Sequence, residues 1–235
     1  MKLLYYWEGT NYPLIRACVK IASACFNRPA YNIFKMYPKD ERLDAWTVRD
    51  RSDYFRMKAL AEHGGVYFDA DTMFLKNAEV LFKYLETHSN WFYGERGYIQ
   101  NGVMGAKPGN KFFEKMVQLS NLYIDAHTES PSDGALNFYI MRKYVRKLKK
   151  KLILPQNRFH GMPYPTDFKF FEPYEEVSWG KNRIATTFYL SSLSEARRCA
   201  SLNTIDPRSP IGRWLKNFDV NDNNIIFDLE DDYVR

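Results

Sequence analysis

The run Gly64-Gly65-Val66-Tyr67-Phe68-Asp69-Ala70-Asp71 constrains this chain more than any other. Val48 to His63 reads as a long helix, and the two glycines after it permit the stop and tight reversal that follow. Val66 to Phe68 is then a brief buried strand running into Asp69. The same alternation precedes it. Lys2 to Trp7 is a first strand closed by the turn signal Glu8-Gly9. Asn11 to Phe26 carries Leu14, Ala17, Cys18, Ile21 and Cys25 at helical spacing, and Tyr31 to Met36 reads as a second strand. Strands alternating with helices predict an α/β domain with a mostly parallel central sheet.

The later chain is less regular. The pattern predicts a helix over Glu79 to Tyr84, strands over Trp91 to Tyr93 and Gly102 to Ala106, and a helix over Asn110 to Ala126. Ser130 to Gly134 is a loop before a helix that ends in the basic run Arg142 to Lys151. Beyond Leu154 the chain reads as irregular to Trp179, and Asn221 to Arg235 as a partly ordered, flexible Asn- and Asp-rich tail. A length of 235 residues suits one domain. No stretch approaches the roughly 18 apolar residues of a membrane span. Three cysteines without a CxxC pair argue against a disulfide framework or zinc knuckle, so a reducing, cytoplasmic setting is expected. A net charge of +6 favours an anionic ligand: a nucleoside diphosphate, a phospholipid surface or nucleic acid.

Asp69 and Asp71 would stand at the carboxyl edge of the sheet, where α/β sheets bind ligands. A turn there lets both approach one hard cation, Mg²⁺ or Mn²⁺, with positions left for phosphate oxygens and water. Alone, an Asp-x-Asp is most often a solvated turn. The context adds to it: Ser52, Asp53 and Arg56 share one face of the preceding helix. A carboxylate suits sugar or ribose hydroxyls and a guanidinium offers bidentate contact to oxygen acceptors, although Arg56 and Asp53 could equally be a surface pair.

The segment from Ser52 to Asp71, SDYFRMKALAEHGGVYFDAD, closely resembles the Ser-Asp-x-x-Arg…Gly-Gly-x-Tyr-x-Asp-x-Asp block of DxD-motif sugar-transferases. These include yeast-type mannosyltransferases, capsular polysaccharide transferases and, distantly, glucosylating toxins. Tyr6-Trp7-Glu8-Gly9 resembles the family's first-strand Trp-x-Gly, and Gln100 to Pro108 its Asn-Gly strand. The resemblance implies a single Rossmann-like GT-A glycosyltransferase domain over 1–235. Its nucleotide-sugar-binding half would span 1–115, its acceptor-side half 116–220, and its tail 221–235. It also implies a retaining hexosyltransferase that uses Mn²⁺ or Mg²⁺ and a nucleotide-sugar donor, UDP-sugar ahead of GDP-sugar. Trp7 would lie beside the base. Ser52, Asp53, Arg56 and Gly65 would serve the donor, Asp69 the ribose or metal-bound water, Asp71 the metal directly, and Asn101 the reaction centre.

Two departures stand out. Family members commonly complete the metal site with a C-terminal histidine, and the counterpart segment here, Ala185 to Ser192, has none. His160 is read as a loop or core residue. The acceptor-side Gly-Pro loop becomes Ser132-Asp133-Gly134, in which Asp133 would bind an acceptor hydroxyl or cap the following helix. A glycan or glycoconjugate is the first expectation for the acceptor. DNA bearing hydroxylated bases, reached through the cations of 142–151, comes second. An inactive sugar-nucleotide or glycan-binding module is the rival of a different class. A plain DNA-binding protein would leave the donor block without purpose.

Overall fold

The computed structural model describes residues 1–75, 78–95, 98–128, 144, 152–155, 158–159, 171, 173, 183–187 and 194–225. In chain order the described elements are β1 (Lys2–Tyr6), α1 (Pro13–Phe26), β2 (Ala30–Asn32), α2 (Ile33–Met36), α3 (Val48–His63), β3 (Gly65–Asp69), β4 (Thr72–Phe74) and α4 (Val80–Thr87). They continue with β5 (Asn90–Glu95), β6 (Tyr98–Ala106), α5 (Lys111–Ala126), β7 (Leu152–Pro155), β8 (Ala185–Thr187), α6 (Glu195–Arg198) and α7 (Pro210–Asn217). The chain forms two compact units.

The first unit comprises Met1–Glu8, Pro29–Asp69 and Glu79–Pro155. Its six-stranded sheet runs β2-β1-β3-β6-β5-β7. β1 is parallel to both β2 and β3, and β5 to β7, while β6 is antiparallel to β3 and β5. The sheet is therefore mostly parallel, as the sequence predicts. One layer of core joins Leu4, Tyr67, Phe92 and Met104 of the sheet to Met57 and Leu60 of α3 and Phe112, Phe113 and Met116 of α5. Each such buried side chain contributes roughly 1.5–3 kcal/mol relative to exposure. Trp91 in β5 is buried and donates its indole N–H to the Leu81 carbonyl of α4 at 2.9 Å.

α3 is set at both ends by its own residues. Thr47 is the N-cap, accepting from the Asp50 amide at 3.3 Å and donating to the Asp50 carboxylate at 2.6 Å. At the other end Gly64 has φ +59°, and a Cβ there would lie 2.4 Å from the Pro108 nitrogen. Gly65 has φ +117°, with the Lys2 carbonyl oxygen 1.8 Å from where a Cβ would sit. Only glycine fits either position.

The strand expected over Tyr31 to Met36 is corrected: β2 stops at Asn32 and a turn of helix, α2, follows. The reason is Asn32, whose side-chain oxygen accepts from the Phe34 amide at 3.1 Å and caps the helix. β7 and α7 are elements the sequence did not signal.

The second unit comprises Gly9–Arg28, Ala70–Ala78 and Gln156–Arg235. Leu14, Ala17, Cys18, Ile21 and Cys25 of α1 are all buried, as their spacing predicts. Phe26 meets Phe74 of β4 edge-on at 5.0 Å, and Trp214 of α7 donates to the Phe74 carbonyl at 3.0 Å. β4 pairs antiparallel with β8, Thr72 opposite Thr187. Of the tail, Asn221 to Asn224 form a turn and Ile225 is buried, while the rest lies outside the described residues. All three cysteines are free. Among the described residues no helix is long and apolar enough to cross a membrane.

Candidate functional site

α3 buries ten of its sixteen residues, and four of these are polar: Asp50, Ser52, Asp53 and Arg56. Buried polar groups must find partners. Those of Ser52, Asp53 and Arg56 form one network in the first unit. The Arg56 guanidinium directs Nε to the Ser52 carbonyl at 3.3 Å and Nη1 to the Asn101 carbonyl at 2.9 Å and Asp69 Oδ1 at 3.1 Å. Its Nη2 reaches Ser52 Oγ at 2.9 Å and Asp53 Oδ1 at 3.2 Å. An arginine has five N–H donors, so the fork is spent on protein atoms. Arg56 is thus a positioning residue as well as a fixed positive charge; it does pair with Asp53, as one reading of the sequence allowed, but in a buried network and not on the surface.

Around it the polar groups form a chain. Alternation along β3 puts Tyr67 and Asp69 on one face, and the Tyr67 hydroxyl donates to Asp69 Oδ1 at 2.9 Å. With that proton committed, Ser52 Oγ is the donor in its 3.4 Å contact with the Tyr67 oxygen. The Tyr67 ring packs 4.6 Å under the guanidinium carbon. Asn101 of β6 donates from its side chain to Asp53 Oδ1 at 3.2 Å. Burial by itself pulls the Arg56 guanidinium down; Tyr67, Asp69 and Asp53 overcome this and hold it above its ordinary range. Burial also raises the Asp69 carboxyl, against the opposing pull of Arg56 and the Tyr67 hydrogen bond.

Asp69 nevertheless keeps 32% of its side chain open. Its Oδ1 is engaged by Arg56 and Tyr67, while Oδ2 faces Gly102, where a Cβ would come within 2.7 Å. A side chain at position 102 would fill the space beside that oxygen. Asp53 and Asp69 thus share the one guanidinium of Arg56.

Trp7 follows β1 at the carboxyl edge of the sheet and is half-buried. Its backbone is held on both sides by one side chain: Trp7 N–H donates to Asn32 Oδ1 at 3.1 Å, and Asn32 Nδ2 donates to the Trp7 carbonyl at 2.9 Å. Asp71 belongs to the second unit, half-buried in the turn after Ala70. Burial, and then the nearby Asp71 charge, raise the Cys18 thiol well above its usual range. The segment nominated as the counterpart of the missing histidine begins with β8, whose Thr187 lies opposite Thr72, the residue after Asp71. Among the described residues no group of three or more His, Cys, Asp or Glu side chains could hold a metal.

The structure therefore brings Ser52, Asp53, Arg56, Asp69 and Asn101 together. It does not bring Gly65 to them: Gly65 begins β3 and Asp69 ends it, about 13 Å away at a strand rise of roughly 3.3 Å per residue. Its strained φ serves the helix-to-strand turn instead. Asp133, His160 and, apart from Tyr144, the basic run 142–151 lie outside the described residues. Sequence reasoning missed Asn32 and gave no role to Tyr67 and Gly102, although both stand in the motifs that carry the resemblance. Period-two alternation in β3 could have linked Tyr67 to Asp69; the other two act through pairings remote in sequence.

Comparison with known proteins finds likeness in sequence profile and in fold. The family profile described as glycosyltransferase sugar-binding region containing DXD motif matches residues 19–90, which include Ser52, Asp53, Arg56, Asp69 and Asp71. No curated protein matches the sequence. Among solved structures, a glycosyltransferase involved in glycosylation of the major capsid of PBCV-1 is similar in fold, with a TM-score of 0.50 and 11% identity over 84% of this chain and 96% of that one. The galactosyltransferase LgtC, solved with donor and acceptor sugar analogues, matches at a TM-score of 0.41 and 11% identity, covering 80% and 87%. Mouse xyloside xylosyltransferase 1 matches at 0.45 and 12%, covering 82% and 99%. Residues 19–90 thus match the DXD sugar-binding region of glycosyltransferases, and the fold that presents them is of the GT-A type.

Proposed function

We propose that this protein moves a hexose-type sugar from a nucleoside-diphosphate sugar to a hydroxyl of a glycan or glycoconjugate, with retention at the anomeric carbon. UDP-sugar is the favoured donor. Asp69 and Asp71 would hold Mn²⁺ or Mg²⁺. The observation that carries the reading is the pair of carboxylates, Asp53 and Asp69, gathered on Arg56, with Asp69 keeping 32% of its side chain exposed and Gly102 leaving room beside its Oδ2. Carboxylate oxygens with room for further oxygen ligands suit a hard divalent cation.

When bound, such a cation supplies charge neutralisation for the departing diphosphate. The chain's own residues supply placement. Arg56 fixes Asp53, Asp69 and the Asn101 carbonyl relative to one another, so that little reorganisation is needed during reaction. Asp53 and Asn101, joined by their hydrogen bond, offer an acceptor and a donor to sugar hydroxyls. Trp7, its backbone held by Asn32, offers an indole to the base. No side chain is assigned as a covalent nucleophile.

The test is a thermal-shift screen of UDP-, GDP- and other nucleotide-sugars with and without Mn²⁺. At a donor concentration about 100 times its Kd, roughly 2.7 kcal/mol of stabilisation is expected. It should appear for one donor, require Mn²⁺, and vanish in Asp71→Ala with the fold intact. A response unchanged in that variant would remove Asp71 from the site. Silence towards every donor would leave a degenerate sugar-binding module.

A further inference from the structure

We propose that the first unit holds a second ligand site, for an uncharged carbohydrate, in a cavity on the face of α3 that carries Arg51 and Phe55. This face is one helical stripe away from that of Ser52 and Arg56. The cavity measures about 410 Å³, within the roughly 300–1,000 Å³ usual for small-molecule sites.

Its walls argue for the ligand class. Phe55 is stacked between Tyr6, at 6.0 Å and 12°, and Tyr37, at 5.7 Å and 21°. Phe34 stands edge-on to Tyr6 and is 49% exposed, a large aromatic left half open to solvent at the cavity wall. The charged side chains of the wall are paired within the protein. Arg51 holds Glu8 through both its Nε and Nη2, Lys39 holds Asp44 at 2.9 Å, and Asp40 is held by Arg42 at 2.7 Å.

That pairing decides between ligands. A nucleotide or phosphate would need cations with charge to spare, and a metal would need carboxylates in excess; the wall offers neither. An acyl chain would have to desolvate five charged side chains. A pyranose satisfies both parts of the wall: its apolar C–H face suits the Phe34 ring, and its hydroxyls can donate to the paired carboxylates and accept from the guanidinium. Glu8 directly follows Trp7 and Arg51 directly precedes Ser52, so the cavity borders the proposed donor site through shared chain. The inference rests on the glycosyl-transfer reading and deepens it: the cavity seats neutral sugars of the acceptor glycan away from the reacting end.

The experiment titrates the ¹⁵N-labelled full chain with methyl hexopyranosides and with 1→2-, 1→4- and 1→6-linked neutral disaccharides. Amide shifts at Phe34, Tyr37 and Arg51 are read in parallel with the Mn²⁺-dependent donor response. At least one sugar should shift all three amides. Phe34→Ala should weaken that binding about tenfold, the effect of losing one aromatic contact, with the donor response kept, and Phe34→Tyr should restore it. Donor binding without any sugar shifting these amides, or sugar binding indifferent to Phe34→Ala, overturns the cavity assignment alone. Sugar binding at these amides without any nucleotide-sugar response sustains the cavity and overturns the transfer reading.

Discussion

Two of the ion-paired arginines of helix α3, Arg51 and Arg56, stand five residues apart and do opposite things. Arg51 meets one carboxylate, Glu8, and gives its Nη1 to the Leu43 and Trp46 carbonyls, so its ion pair is matched one to one. Arg56 meets two carboxylates, Asp53 and Asp69, which share its single charge. The Arg56 side chain is only 6% exposed against 22% for Arg51. The sharing therefore sits at the more buried of the two, where a charge left without its partner costs most.

The sharpest way to break this contrast is Arg56→Ala. It leaves Asp53 and Asp69 without their partner and should cost about 3–5 kcal/mol in urea unfolding, together with loss of the Mn²⁺-dependent donor response. Arg51→Ala should cost less, about 1–3 kcal/mol, because a half-buried Glu8 and two carbonyls lose their donor. The response to Mn²⁺ should survive in it; losing that response would show that the two faces of α3 are one site. The gentlest change is Asp53→Asn, which leaves Arg56 with one carboxylate partner, as Arg51 has. Stability should move by less than about 1 kcal/mol, while the Kd for Mn²⁺, followed calorimetrically, should rise roughly fivefold through the lost field. An unaltered Kd would mean that the Asp53 charge plays no part in binding.

The helix-turn-strand that delivers this network was legible in the sequence. The bounds of α3 are those its pattern predicts, because the pair Gly64-Gly65 forces a stop that few other residues could accommodate. The start of β3 and the burial of Cys18 and Cys25 followed by the same local logic. The network itself was only half legible. Ser52, Asp53 and Arg56 are grouped by helical spacing, but Asn101 joins Asp53 across 48 residues of chain. A pairing of that kind is made by β6 lying beside β3, which no local pattern encodes. The misread of Tyr31 to Met36 has the opposite cause. Its apolar residues suit a strand, and a single side-chain oxygen on Asn32 overrides them by capping a helix.

Asn32 does more than end a strand. The same side chain accepts from two amides, those of Phe34 and Trp7, and donates to the Trp7 carbonyl. Aspartate in its place would keep the acceptor and lose the donor; leucine would lose both; glutamine would reach too far by one methylene. Three constraints thus fall on one amide group, and no isostere meets them all. In a saturation-mutagenesis map, position 32 should read as intolerant as a catalytic position although it carries no charge. A residue of this kind would be scored as functional by its mutational profile and as ordinary by its chemistry.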